Sequence, residues 1–489
     1  MKRGCVHMPT VRKNLIAGQW VASRSGESLP TVDPSTGEEL ARLARGNAED
    51  IDRAVAAAQE AFAAGPWPQT APADRGRLLL RMADLIRKER DDLARLESQD
   101  TGKPLHQARA DVDVAARYYE FYGGVADKIM GHTIPIGPGL LDYTTREPWG
   151  AVGQIIPWNY PLQIGSRAVA AALAAGNTVI LKPAEEAALT VLRLGELAEQ
   201  AGLPPGVLNI VTGYGPEAGA ALAAHPGIRH LTFTGSVEVG ILVAQAAAQN
   251  IVPVALELGG KSPNIVFADA DMEAALPTVV RSIIQNAGQT CSAGSRLLVE
   301  ESAAERVIAE VARRFQGVRI GRGIDDPDLG PVITEHQRER VLGLIAAGRA
   351  AGARVVTGGG APDLPGLQGG FYVQPTLLAG VSGDAPIAQE EIFGPVLTAI
   401  TFRDADEALR IANATAYGLV AAVWTRDVAK AHSFAAGLRS GQVFVNTYGA
   451  GGGVEMPFGG YGRSGYGREK GLEALNTYTQ VKNVCIKYA

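Results

Sequence analysis

The sequence predicts an α/β protein with at least two parallel-sheet units. Two successive alternations of short apolar runs with helical patterns carry that prediction. A glycine pair, Gly259-Gly260, separates them and marks a hinge or domain crossing. The third observation is material for a core: 489 residues, 46% hydrophobic and 20% charged, enough for roughly two to four domains of ~150 residues.

Asn47 is a capping residue ahead of Ile51, Val55, Ala58 and Phe62, which share a face, so a helix is predicted there. Pro72 opens a longer helical pattern through Leu78, Met82, Leu85, Ile86, Leu93 and Leu96. Apolar runs then fall at Val152–Ile156, Thr178–Leu181, Leu208–Val211, His230–Phe233 and Val252–Leu256, and these read as strands. Between them Leu162–Ala175, Glu185–Ala201, Glu217–Ala224 and Val237–Gln249 read as helices. Strand, helix, strand at spacings of roughly 20 to 30 residues describes parallel βαβ units with strands buried on both faces. Such doubly wound sheets bind ligands beyond the carboxyl ends of their strands. After Gly260, strands are predicted at Pro263–Phe267, Arg296–Val299, Arg354–Val356, Val396–Phe402, Val420–Thr425 and Gln442–Val445. Helices are predicted at Ser302–Phe315, Glu335–Ala351, Ala405–Ala414 and Asp427–Ala436.

Charge and cysteine usage exclude several classes. With 46 basic and 51 acidic residues the net charge is −5, which gives no general attraction to nucleic acid or to anionic lipid. The longest nearly uncharged apolar stretch, Ala168–Leu181, is shorter than the ~20 residues of a spanning helix, so no membrane partner is expected. Cys5, Cys291 and Cys485 are too few and scattered for a disulfide framework or a metal cluster, and no metal site is expected. The N-terminus lacks an apolar segment of signal-peptide length, so the expected location is cytoplasmic.

Several chemistry-bearing residues fall at strand ends. Asn159, in Pro157-Trp158-Asn159-Tyr160-Pro161, is either a turn residue or an amide donor to an oxyanion. Lys182 and Glu185 end the next strand, as a solvated pair or as ligands of a nucleotide ribose. Phe233-Thr234-Gly235-Ser236 opens a helix, whose free N–H groups favour a pyrophosphate, or forms an ordinary tight turn. Glu257 is either an ion-pair partner or a carboxylate tuned by burial for acid–base work. Cys291 sits in Gly288-Gln289-Thr290-Cys291-Ser292-Ala293-Gly294; a lone cysteine is commonly an inert buried group, but this one lies at a helix-to-loop transition among small residues. The G-x-G-x-x-G spelling at Gly460–Gly465 follows a loop near the C-terminus with no βαβ unit behind it, and is not a dinucleotide fingerprint.

Taken together the chain resembles the aldehyde dehydrogenase superfamily over nearly its whole length. The likeness rests on Pro157–Pro161, Lys182–Glu185, Phe233–Ser236, Leu256–Pro263, Gly288–Arg296, Glu390–Pro395 and Pro457–Gly460, in the family's order and approximate spacing. The resemblance implies a variant Rossmann-type NAD-binding domain (1–127 and 150–259), an α/β catalytic domain (260–447) and a small β oligomerisation element. The last would combine 128–149 with 470–489, and 448–469 would be a returning segment. It implies a homodimer or homotetramer that oxidises an aldehyde to a carboxylic acid without passing it to a thiol carrier.

By the same resemblance Cys291 is the nucleophile, Asn159 the oxyanion donor and Glu257 the base that activates the hydrolytic water. Ile156, Pro157, Trp158, Lys182, Glu185, Gly235, Ser236, Leu258, Glu391 and Phe393 are implied in cofactor binding. A carboxylate at Glu185 accepts from ribose hydroxyls and repels a 2′-phosphate, so NAD is expected over NADP. Tyr160, Arg167, Gln285 and Phe458 are the implied substrate contacts. Arg167 is half of a carboxylate clamp for a semialdehyde, or else pairs with a protein carboxylate and leaves a broad-specificity enzyme. A guanidinium at that position argues against betaine aldehyde, which aromatic rings would hold by cation–π contact.

Overall fold

In the computed structural model residues 11–449 and 453–488 are described; Cys5 and the basic start of the chain lie outside them. The fold is α/β, with parallel strands inside mixed sheets. The first large sheet runs Gly465–Tyr466, Val254–Glu257, His230–Thr234, Ala151–Ile156, Thr178–Pro183, Leu208–Ile210, Asn14–Ile16, Gln19–Val21. Its five central strands are parallel, and antiparallel strands close both edges. Chain order starts at the middle strand, moves outward to Leu208–Ile210, then returns to His230–Thr234 on the other side. The crevice of such a sheet opens where the order reverses, beyond Ile156 and Thr234.

A second sheet of seven strands covers Pro263–Val266 to Gln442–Val445, with the order reversing beside Pro263–Val266. The third, Thr479–Lys487, Leu140–Pro148 and Thr133–Ile134, is antiparallel, and its two long strands are paired from Thr479↔Pro148 to Lys487↔Leu140. Among the described residues no helix is long and apolar enough to cross a membrane, and no cluster of metal-ligating side chains forms.

Local sequence accounts for most of these elements. Asn47 caps Ala48–Ala63 by accepting from the N–H groups of Glu49 and Asp50, while the Asp50 carboxylate accepts from the Asn47 N–H. Ser236 likewise caps Val237–Ala248 by accepting from the Val239 N–H. In Pro161–Ala174 every residue but Gln163 is buried, and its run of alanines lets sheet and neighbouring helices approach it closely.

Three expectations need correction. The pattern opened by Pro72 is two helices, Pro72–Lys88 and Arg90–Thr101, which part at Glu89, whose carboxylate is anchored on Arg193. The helix expected from Glu185 begins at Leu189, because its first turn is capped by Asp100, which accepts from the Leu189 N–H at 2.9 Å. The stretch Glu217–Ala224 starts as a wide π turn over Gly215–Gly219 and becomes α-helical only at Ala220–Ala223.

Candidate active site

A cavity of about 1040 Å³ opens at the reversal point of the first sheet and runs to the second. Pro157, Trp158 and Asn159 follow one strand into it, Gly235 and Ser236 follow another, and Glu257 ends a third. Cys291, Glu391 and Phe393 come from the opposite unit. Tyr160, Arg167, Gln285 and Phe458 also line it, so residues spread over some 300 positions share one space.

The segment before Cys291 is conformationally demanding. Asn286, Ala287 and Gly288 hold φ of 48°, 53° and 72° in succession, a left-handed run that costs of order 1–3 kcal/mol for each non-glycine residue. Hydrogen bonds hold it in place. Asn286 Nδ2 donates to the Asn159 carbonyl at 2.8 Å, its N–H donates to Gln107, and Gln289 accepts from the Ile333 N–H at 2.8 Å. Asn159 Nδ2 donates to the Gln289 carbonyl at 2.9 Å, which fixes the amide and ties it to the cysteine loop. Lys103, wholly buried against Glu97 and Asp111, donates to the Asn159 carbonyl at 3.0 Å. The amide of Asn159 is therefore positioned from both flanks.

Burial opposes charge on the reacting groups. Burial pushes the Cys291 thiol up to about 12; Arg167 works against that shift, and Glu257 and Glu391 add to it. Glu257 is buried with one carboxylate oxygen lacking a protein partner, and burial together with Glu469 holds its carboxyl well above the usual range. Arg167 forms a buried ion pair with Glu469 and lies 5.7 Å from the centroid of the Phe458 ring. Of the two readings left open for Arg167, the structure contains the pairing with a protein carboxylate. Replacing it by methionine would strand Glu469, and a destabilisation of about 3–5 kcal/mol is expected in thermal or denaturant unfolding. An unchanged midpoint would show the pair to be dispensable.

Two carboxylates fit a dinucleotide with two riboses. Glu391 is driven up to about 7 by burial and accepts from the Gly260 N–H at 3.0 Å; a side chain at Gly259 would strike it, since a Cβ there falls 2.1 Å from its carboxylate. Glu185 pairs with Lys182 at 2.9 Å and accepts from the Gly215 N–H at 3.3 Å. Phe393, itself at φ 57°, packs edge-on against Trp158 with ring centroids 5.3 Å apart. Ile156, Leu258, Lys182 and Glu185 lie off the cavity wall; Ile156 and Leu258 are core residues, and Leu258 packs against Gly240. Gln285 and Thr290 both contact the Tyr160 hydroxyl, at 3.4 and 2.8 Å.

Sequence reasoning missed Lys103, Asn286, Glu469 and Lys470. No local signal marks the links that matter, since Lys103 and Asn286 act on Asn159, and Glu469 on Arg167, far along the chain.

Comparison with known proteins places this arrangement. Residues 20–484 match the model of the aldehyde dehydrogenase family. Aldehyde dehydrogenase family 2 member B4, mitochondrial, of Arabidopsis thaliana is 46% identical over 476 residues, covering 96% of this chain and 87% of the relative. The betaine aldehyde dehydrogenase of Bacillus subtilis is 42% identical over 475 residues, covering 96% of each. The NAD+ complex of an aldehyde dehydrogenase from Bacillus cereus superposes with a TM-score of 0.96 at 42% identity, covering 98% of this chain and 97% of that one.

Proposed function

This chain belongs to the aldehyde dehydrogenase family, and we propose that it oxidises an aldehyde to a carboxylic acid at Cys291 with NAD in preference to NADP. The observation that carries the reading is the convergence of Cys291, Asn159 and Glu257 on one cavity with Glu391 and Phe393.

Cys291 Sγ attacks the carbonyl carbon, and its proton passes to Glu257, whose affinity for protons is raised by burial and by Glu469. The new oxyanion accepts from Asn159 Nδ2 and from the Cys291 N–H. Glu391 on the cavity wall, and Lys182 with Glu185 beyond it, would hold NAD, which would supply the acceptor for the hydride of the thiohemiacetal carbon. A thioester remains on Cys291. Glu257 sheds that proton to solvent and takes another from water as the hydroxide equivalent attacks the thioester; the acid then departs, and the proton on Glu257 returns to the Cys291 sulfur, restoring thiol and carboxylate.

Glu185 sets the cofactor preference in this account. The Glu185→Gln variant removes the repelling carboxylate and leaves Lys182 for a 2′-phosphate, so NADP use relative to NAD should rise roughly 10- to 100-fold. An unmoved ratio of kcat/KM values would place the discrimination elsewhere.

Pairing Arg167 with Glu469 removes the clamp argument for a semialdehyde at that residue and supports a broader aldehyde range. We also assign the Thr479–Lys487 strand to self-association as a homodimer or homotetramer, because its side chains are largely exposed. Initial rates of NADH and NADPH formation over succinic semialdehyde, a neutral aliphatic aldehyde, benzaldehyde and betaine aldehyde test the reading. Turnover with NAD is expected; no turnover of any aldehyde would overturn it.

A further inference from the structure

We propose that Lys103 is a positioning residue of the reaction: its buried ammonium clamps the Asn159–Tyr160 turn from behind and thereby sets where the Asn159 amide meets the developing oxyanion. This inference rests on the function proposed above and adds to it a group that does not line the cavity.

Lys103 follows the helix Arg90–Thr101, which ends at Gly102 with φ 77°. Its carbonyl accepts from the Ser98 hydroxyl at 2.7 Å. The turn is wedged against the second unit, where a Cβ on Gly330 would fall 2.2 Å from the Gly102 carbonyl oxygen. An ammonium has three N–H donors, and here there are three acceptors: Asp111 at 2.6 Å, the Asn159 carbonyl at 3.0 Å and Glu97 at 3.3 Å. Glu97 is in turn held by the Thr190 hydroxyl at 2.6 Å. The same Nζ stands 4.3 Å from the centroid of the Tyr160 ring. One cation thus grips two consecutive residues, and each reaches the cysteine loop by its side chain. Asn159 bonds the Gln289 carbonyl and Tyr160 the Thr290 hydroxyl.

Such a cation can act through its field or through geometry, and its partners separate the two. The cluster sets one ammonium against two carboxylates. Burial drives Asp111 up to about 6 against the pull of Lys103, so it is ionised at pH 7. The sum is negative and would oppose an oxyanion, which leaves geometry. Asn159 Oδ1 has no protein partner, so the amide is held only through Nδ2 and through its backbone. Asn286 shares the Asn159 carbonyl, but it belongs to the left-handed cysteine loop; Lys103 ties the turn to helices outside that loop. A displacement of about 1 Å at such a group costs on the order of 100-fold in rate.

The experiment measures first-turnover NADH formation with saturating NAD and butanal in the full-length protein. Lys103→Met strands two buried carboxylates, so it is paired with a neutral set, Glu97→Gln/Lys103→Met/Asp111→Asn. Asp111→Asn alone keeps one ammonium on one carboxylate and reads the same coupling more weakly. Each is made with and without Asn159→Ala. With Asn159 present, the neutral set should slow the first turnover roughly 10- to 100-fold, with the KM for butanal moving less than about threefold. Asn159→Ala alone should cost roughly 100- to 1,000-fold, and in that background the neutral set should cost less than about threefold more. A merely structural lysine would give the same loss in both backgrounds, and that result would overturn the proposal. So would an unchanged rate in the neutral set. A wild type that oxidises no aldehyde would instead overturn the underlying function.

Discussion

Replacing Cys291 by alanine should lower NADH formation by roughly four to six orders of magnitude, in line with the loss of a covalent nucleophile elsewhere. The size follows from the site's construction. Asn159 and the main-chain N–H can polarise a carbonyl without the sulfur, but the Thr290 and Ser292 hydroxyls that flank it on the cavity wall are far weaker nucleophiles than a thiolate. The substitution is conservative in volume, and the left-handed run before it is held by Gln107, Ile333 and Asn159 rather than by the thiol, so the fold should persist. Retained NAD binding, measured by calorimetry, would separate lost chemistry from lost structure. Activity within tenfold of wild type would remove the cysteine from the mechanism.

The second large effect is expected at Glu257. Glu257→Gln keeps the shape and removes the base, which typically costs on the order of 100- to 10,000-fold. The loss should be uneven between the two halves of the reaction, because hydrolysis of the thioester has no other carboxylate placed to activate water. A burst of NADH close to one equivalent per chain, followed by slow turnover, is the expected trace. The wild-type rate should climb with pH, since Glu257 works ionised and burial with Glu469 holds its carboxyl well above the ordinary value. That climb should vanish in the glutamine variant. A variant that loses burst and steady state together would show that the step most dependent on Glu257 is its acceptance of the Cys291 proton.

The parallel-sheet frame was legible because strands buried on both faces leave an unbroken apolar signature and their helices leave a 3.6-residue one. Val396–Phe402 and Gln442–Val445 form with the limits their residues suggest. Boundaries set from elsewhere in the chain were not legible. Leu189 begins a helix because Asp100 caps it, and Asn14–Ile16 is a strand because Ile210 pairs with Leu15. The site divided the same way. Asn159, Glu257 and Gly235 sit at strand ends, a place that topology alone marks for ligands. Arg167 could be seen but not interpreted, since its partner Glu469 lies some 300 residues on, in a segment whose only sequence signal is a misleading glycine pattern. Lys470 was invisible for the same reason: it enters the cavity only because the chain returns, through the Gly465–Tyr466 strand, to the edge of the first sheet.

The most direct test of covalent catalysis at Cys291 is mass spectrometry of Glu257→Gln quenched after mixing with NAD and butanal. An added acyl group on the peptide that contains Cys291, in step with the NADH burst, is the predicted result. NADH formation with no adduct, or an adduct on another residue, would contradict it.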